Sequence, residues 1–186
     1  MHRVNIKMRF KQYPLLLSLV LGLSSMVYAE DNQITNMVEF FSFKCSHCAN
    51  VNEKLTQYLI QHQIKFLDVI VDRDADALAT TIMYYIAEDA GVGTSFKDTY
   101  FNAVSAGMAA YSKVTLDYVV KQLNNAAMTQ LMRSKAEQKR IKLKINYANE
   151  LLNHYNIRVT PSFLLNQTTL LDGEDVMDSL IEADKQ

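Results

Sequence analysis

The chain has 186 residues, of which 49% are hydrophobic, and its formal net charge at pH 7 is −1. This length is enough to bury a substantial hydrophobic core. The balance of 19 basic and 20 acidic side chains argues against nucleic acid or an anionic lipid surface as the main partner.

Residues 1–29 have the pattern of a secretory signal peptide. Their start carries four basic side chains and no acid: Arg3, Lys7, Arg9 and Lys11. An apolar core from Leu15 to Leu23 follows, and the apolar run over 13–26 is shorter than the ~20 residues of a membrane-spanning helix. Cleavage after Ala29 would leave residues 30–186 as one domain of net charge −5, exported to an oxidising compartment, which we expect to be the periplasm.

The mature chain begins with a predicted strand–helix–strand unit. Residues 30–36 form a short polar lead-in, and the strand over 37–43 is largely apolar on both faces, as is typical of a central strand covered on both sides. A helix is predicted from about Cys45 to His62, followed by a second strand over Ile64–Val71. Because a crossover helix joins them, the two strands are expected to be parallel.

From Asp74 to about Asn156 the spacing of apolar residues becomes helical. The first helix has an apolar stripe of Leu78, Ile82, Tyr85 and Ile86. Glycines at 91 and 93 end it, and further helices are predicted to begin at Ser95, with Asp98 three residues on, and at Thr115. A longer helical stretch runs to about His154. It carries a basic cluster that we interpret as a solvated face, with a partner-docking surface as the alternative: Lys135, Lys139, Arg140, Lys142 and Lys144.

The chain then returns to strands. Residues Pro161–Asn166 and Thr168–Leu171 predict an antiparallel hairpin, and residues 174–183 fit a closing amphipathic helix. The element order predicts an α/β protein with a helical insertion, over about 74–156, between a βαβ half and a ββα half.

The two cysteines form the motif Cys45-Ser46-His47-Cys48 at the start of the first helix. The first N–H groups of a helix lack intrahelical acceptors, so this position favours the Cys45 thiolate, and Lys44 and His47 should add positive charge beside it. Cys48 lies one turn further on the same face, where a disulfide can open and close. Each unit by which a thiol pKa falls below ambient pH favours the reduced form by roughly 1.4 kcal/mol, or about 30 mV.

Other uses of the cysteine pair fit less well. A structural disulfide across a two-residue gap would add little stability, because the stabilisation grows with loop length. Zinc would need four ligands, and the sequence has no second pair at ligand spacing. Binding of Cu(I) by Cys45, Cys48 and His47 stays open, since soft thiolates suit that ion.

The stretch from Val38 to Cys48, Val-Glu-Phe-Phe-Ser-Phe-Lys-Cys-Ser-His-Cys, resembles the strand and active-site motif of the DsbA family of exported thiol:disulfide oxidoreductases. The segment Val159-Thr160-Pro161, just before the predicted hairpin, resembles that family's cis-proline loop. The resemblance implies a thioredoxin-like fold and an enzyme without a cofactor that introduces disulfides into secreted proteins. It also implies a membrane redox partner that recycles the disulfide. A monomer is expected because the short lead-in of 30–36 leaves no room for a dimerisation domain.

The resemblance also assigns roles to residues. Cys45 would be the nucleophile that forms the mixed disulfide, Cys48 the buried resolving thiol, and His47 a side chain that helps to hold the thiolate. Glu39 falls where the family keeps a buried acid that exchanges a proton with Cys48. Independently, an acid in a doubly covered strand should have a raised pKa. Pro161 is expected to be cis, so that the backbone of the preceding residue, Thr160, can pair with substrate.

Two departures from the family concern the direction of electron flow. Ser46 stands where its best-known members have proline, and Thr160 stands where the oxidases typically have valine. Threonine at that place resembles the isomerase branch, but the lead-in of 30–36 leaves no room for that branch's N-terminal dimerisation domain. We therefore expect an oxidase, with a reductase or isomerase as the alternative.

Overall fold

A computed structural model of the protein describes residues 34–173 and 175–185. The predicted signal peptide lies outside these residues. The elements in chain order are β1 (Asn36–Phe41), α1 (Ser46–His62), β2 (Lys65–Ile70), α2 (Ala75–Asp89), α3 (Gly93–Ser105), α4 (Lys113–Leu123), α5 (Ala126–Met132), α6 (Lys135–His154), β3 (Ser162–Leu165), β4 (Thr169–Asp172) and α7 (Val176–Ala183). We call α2–α6 the helical insertion.

The strands form one sheet in the order β2-β1-β3-β4. The two strands joined by the crossover helix α1 are parallel, and Glu39 of β1 lies opposite Asp68 of β2. Strand β3 pairs antiparallel with β1, where Glu39 lies opposite Phe163, and antiparallel with β4. The predicted parallel unit and the predicted hairpin are both confirmed, and β1 is central.

Both faces of the sheet are covered, which explains why β1 is apolar on both sides. On one face, Met37 and Phe163 pack with α1 and α7. On the other, Phe40 and Leu164 pack against Ala148 and Leu152 of α6. A third cluster joins the end of β1 to the helical insertion through buried aromatic side chains: Phe41, Phe43, Tyr84, Phe96 and Tyr100.

Several helix boundaries differ from the predicted ones. Helix α3 begins at Gly93, not Ser95, because Asp98 does not cap it but accepts a hydrogen bond from Asn52 Nδ2 at 2.5 Å. Helix α4 begins two residues before Thr115, since the Ser112 hydroxyl caps the N–H of Thr115. The predicted long last helix is divided into α5 and α6, because a second serine, Ser134, caps a new start.

The surface of the helical insertion also differs in part from the prediction. Leu78, the first residue of the predicted apolar stripe, is 47% exposed. The basic cluster is a solvated face at Lys135, Lys139 and Lys142, whereas Lys144 Nζ lies 2.7 Å from Asp89 Oδ1. Arg140 also pairs with this aspartate, so these two charges fix α6 to α2 instead of facing water alone. Among residues 34–173 and 175–185, no helix has both the length and the apolar character needed to cross a membrane.

Candidate active site

The four residues Ser42–Cys45 connect β1 to α1, and we call them the redox turn. The Cys45 N–H donates to the Ser42 carbonyl at 3.1 Å, which closes the turn. Cys45 is the N-cap of α1, with extended backbone, and its Sγ accepts the N–H of Cys48 at 3.1 Å. The sulfur therefore occupies the place of a capping oxygen, at the positive end of the helix.

The two thiols have opposite acid–base character. The hydrogen bond with Cys48 lowers the pKa of Cys45 to about 6, with further lowering by the Thr160 side chain, the Cys48 amide and the charge of His47. The same thiol–thiol hydrogen bond, together with burial, raises the pKa of Cys48 far above its ordinary value. Cys45 is half-buried and Cys48 fully buried. At neutral pH the site therefore holds one accessible thiolate and one inaccessible thiol.

The loop before β3 completes the site beside the sulfurs. The Thr160–Pro161 peptide bond is cis, as expected. The Thr160 carbonyl accepts a hydrogen bond from Cys45 Sγ at 3.4 Å, and the Thr160 side chain lowers the pKa of both thiols. Val159, immediately before it, is exposed. This loop thus lies next to Cys45 Sγ.

Lys44, expected to add positive charge beside the thiolate, forms ion pairs with two carboxylates. Its ammonium lies 3.2 Å from Asp74 Oδ2 and 3.9 Å from Asp72 Oδ1, and 4.9 Å from the centre of the Tyr111 ring. The two carboxylates therefore take up its charge. His47 is exposed on the first turn of α1.

Glu39 is completely buried in β1, and burial raises its pKa to about 8, against the opposing attraction of Lys97. Lys97 Nζ donates to Glu39 Oε2 at 2.5 Å and to Asp68 Oδ1 at 2.8 Å. The second carboxyl oxygen of Glu39, Oε1, has no hydrogen-bond partner among the described residues. Burial of Lys97 by itself lowers the pKa of the lysine. The attraction of the carboxyl groups of Asp68 and Glu39 is larger, so the pKa of Lys97 is raised.

Lys97 and Asp68 were missed by the sequence analysis. Two signals could have found them. Asp68 interrupts an otherwise apolar strand and lies opposite Glu39 in the parallel register. Lys97 shares helical spacing with Tyr100 and Phe101, so it lies on the buried face of α3, and it is only 3% exposed.

This charged cluster also borders a cavity of about 410 Å³ between α1, β2 and the helical insertion. Asp68 and Lys97 line the cavity together with apolar side chains such as Leu55 and Phe66. The Tyr84 hydroxyl donates to the other oxygen of Asp68. Of the four carboxyl oxygens of Glu39 and Asp68, only Glu39 Oε1 has no hydrogen-bond partner among the described residues.

A family model described as thioredoxin matches residues 24–183 of the chain. The protein belongs to the thioredoxin family. Among solved structures it is similar to DsbA of Pseudomonas aeruginosa, with 16% identity and a TM-score of 0.65 over 84% of this chain and 85% of that chain. It is also similar to the thiol-disulfide exchange protein alpha-DsbA2 of Wolbachia pipientis, with 16% identity and a TM-score of 0.61 over 83% and 82% of the two chains.

A third similar structure is the DsbA disulfide interchange protein of Klebsiella pneumoniae, with 20% identity and a TM-score of 0.57 over 83% and 90% of the two chains. No curated protein matches the sequence. At these identities the likeness concerns the fold, and it confirms the predicted thioredoxin-like architecture and the resemblance to DsbA proteins.

In this thioredoxin-family protein the predicted site residues fall into two groups. The sulfurs of Cys45 and Cys48 meet the Thr160–Pro161 loop at the start of α1, with His47 exposed nearby. Glu39 lies instead in the buried cluster with Lys97. Within the described residues, no three or more His, Cys, Asp or Glu side chains are grouped to hold a metal ion. The arrangement suits thiol–disulfide exchange.

Proposed function

We propose that the protein is an exported thiol:disulfide oxidoreductase that donates a Cys45–Cys48 disulfide to reduced cysteines of secreted or periplasmic proteins. The observation that carries the proposal is the contrast between the two thiols, with the pKa of Cys45 lowered to about 6 and that of Cys48 raised. At pH 7 a thiolate of this acidity favours the reduced form by roughly 1.4 kcal/mol, or about 30 mV. The enzyme would thus be an oxidant.

The reaction proceeds in two displacements. A substrate thiolate attacks Cys45 Sγ of the disulfide, the Cys45–Cys48 bond breaks, and Cys48 leaves and takes up a proton. The second substrate thiolate then attacks the substrate sulfur of the mixed disulfide, and Cys45 leaves as its stabilised thiolate. Two electrons pass to the enzyme, so a membrane-bound redox partner must reoxidise it for the next turnover.

The surrounding residues support this sequence of steps. The cis Thr160–Pro161 loop lies against the nucleophilic sulfur, where its backbone can pair with an extended substrate segment. Glu39, with a pKa of about 8, holds a proton at neutral pH and is the acid that we assign to protonate Cys48. His47 supports the Cys45 thiolate through its charge.

Export, domain boundary and partners belong to the same proposal. The basic start and apolar core of residues 1–29 support cleavage after Ala29, which leaves residues 30–186 as one thioredoxin-like domain acting as a monomer. N-terminal sequencing of the protein recovered from the periplasm tests the cleavage site. A mature chain that still begins at Met1 would contradict it.

The test of the activity is the reduction potential of the Cys45–Cys48 pair against glutathione buffers, together with oxidation of a dithiol peptide. An oxidising potential with a Cys45 pKa near 6 supports the oxidase. A reducing potential with an ordinary thiol pKa contradicts it and favours a disulfide reductase or isomerase, the second candidate. That candidate is supported by Thr160, whose side chain lowers the pKa of both thiols and which stands where the DsbA oxidases typically have valine. Titration of the reduced protein with Cu(I) tests the copper-binding alternative.

A further inference from the structure

Tyr111 has an unusual backbone for a large side chain. It lies in the loop between α3 and α4, with φ of 62°, in the left-handed region that bulky residues rarely adopt. Its N–H donates to the Tyr100 hydroxyl at 2.9 Å, and its ring packs on Phe43 and Tyr100 in the aromatic core. The residue is 5% exposed. The surrounding core therefore holds Tyr111 in a conformation that it would not adopt alone.

The hydroxyl of Tyr111 enters the redox turn. It accepts the N–H of Phe43 at 3.0 Å, donates to Asp72 Oδ2 at 2.5 Å, and lies 3.5 Å from the Ser42 hydroxyl. The next two N–H groups of the turn are satisfied within the turn, that of Lys44 by the Ser42 hydroxyl and that of Cys45 by the Ser42 carbonyl. The acceptor for the Phe43 N–H thus comes from the loop between α3 and α4, whereas the acceptors for the next two N–H groups lie within the turn.

The same tyrosine lies at the centre of a small charged cluster. The Lys44 ammonium is 4.9 Å from the centre of its ring and pairs with Asp74, the N-cap of α2. Asp72, which follows β2, faces both the Tyr111 hydroxyl and, at 3.9 Å, the Lys44 ammonium. Three separate segments therefore meet on Tyr111: the redox turn, the end of β2 and the α3–α4 loop.

The contacts that stabilise the Cys45 thiolate depend on the position of this turn. Cys45 Sγ accepts the Cys48 N–H at 3.1 Å, a contact that weakens steeply with distance and angle, and the Thr160 side chain also lowers the pKa of Cys45. We propose that Tyr111 is a positioning residue for the redox turn, through which the helical insertion sets the reactivity of Cys45. The effect of Tyr111 on catalysis rests on the proposed function. The test does not, because it measures the acidity and reactivity of the Cys45 thiol directly.

The test compares reduced wild-type protein with Tyr111→Phe, which keeps the ring and removes the hydroxyl. Tyr118→Phe is the matched control, because Tyr118 is 42% exposed on α4. The Cys45 thiol is titrated by the ultraviolet absorbance of its thiolate and by its rate of alkylation with iodoacetamide at pH 6. In Tyr111→Phe, a rise of one unit in the pKa of Cys45 would slow alkylation at pH 6 about fivefold. In Tyr118→Phe the alkylation rate should equal that of wild type.

An alkylation rate equal to that of wild type in a folded Tyr111→Phe protein overturns the inference and leaves Tyr111 with a purely structural role. If that variant does not fold, Tyr100→Phe decides, because it removes the hydroxyl that accepts the Tyr111 N–H and keeps the ring that packs on Phe43 of the turn. Slower alkylation then supports the inference, and an unchanged rate overturns it. An ordinary Cys45 pKa in wild type would instead count against the proposed function, so the two failures are distinguishable.

Discussion

Replacing Glu39 by glutamine should stabilise the protein, and by an amount that grows with pH. Burial raises the pKa of Glu39 from its ordinary value of 4.5 to about 8. Between these values the unfolded chain has lost the proton and the folded protein keeps it. The wild-type free energy of unfolding therefore falls as the pH rises from 4.5 to 8, whereas glutamine has no proton to lose.

The size of the effect follows from the two pKa values. Relative to low pH, ionisation of Glu39 lowers the wild-type free energy of unfolding by roughly 1 kcal/mol at pH 5, about 3 kcal/mol at pH 7 and about 5 kcal/mol at pH 9. At low pH the substitution replaces a protonated carboxyl by an amide of the same shape, so it should change little. Lys97 keeps its hydrogen bond with Asp68 in either protein. The stability difference between Glu39→Gln and wild type should therefore widen by roughly 4 kcal/mol between pH 5 and pH 9.

Urea denaturation of the disulfide form at both pH values measures this difference. Glu53→Gln serves as the control, since Glu53 is a glutamate exposed on α1. If the free energies of unfolding of Glu39→Gln and wild type differ by the same amount at pH 5 and at pH 9, then Glu39 has an ordinary pKa in the folded protein. The acid that we assign to protonate Cys48 would then be missing.

Three further predictions concern the thiols and the buried cluster. Cys48→Ser should accumulate a mixed disulfide when its Cys45 thiolate attacks a peptide whose cysteine is in a disulfide with glutathione and releases glutathione. The adduct is seen as a reducible species by mass spectrometry, and its absence would contradict the assigned order of the thiols. In wild type, alkylation of Cys45 should rise with pH through about 6 and then level off, and a midpoint near the ordinary value of 9.0 would contradict the thiolate stabilisation. Lys97→Met leaves the carboxyl groups of Glu39 and Asp68 buried without a cation, so the free energy of unfolding at pH 9 should fall by about 3–5 kcal/mol. A loss below about 1 kcal/mol in urea denaturation would show that the ion pairs contribute little.

The sequence by itself determined the architecture and the chemistry of the cysteine pair, because both depend on residues close together in the chain. Apolar spacing distinguished strands from helices, and the order of elements dictated a parallel unit and a hairpin. The Cys45–Cys48 spacing at a helix start predicted the thiolate, since the first helical N–H groups lie beside the first cysteine wherever the helix sits. The raised pKa of Glu39 also followed from its place in a strand that is apolar on both faces.

The tertiary structure alone decided which groups surround these residues. Lys97 reaches Glu39 across 58 positions of the chain, and Tyr111 reaches the Phe43 amide across 68. Neither contact has a local signal, because each depends on how the helical insertion packs against the sheet. The same packing placed the Lys44 ammonium next to Asp72 and Asp74. Local hydrogen bonding and periodicity determine where helices and strands form. The neighbours of a buried charge depend instead on how distant segments pack, and they are required because burying a charge without a partner costs roughly several kcal/mol.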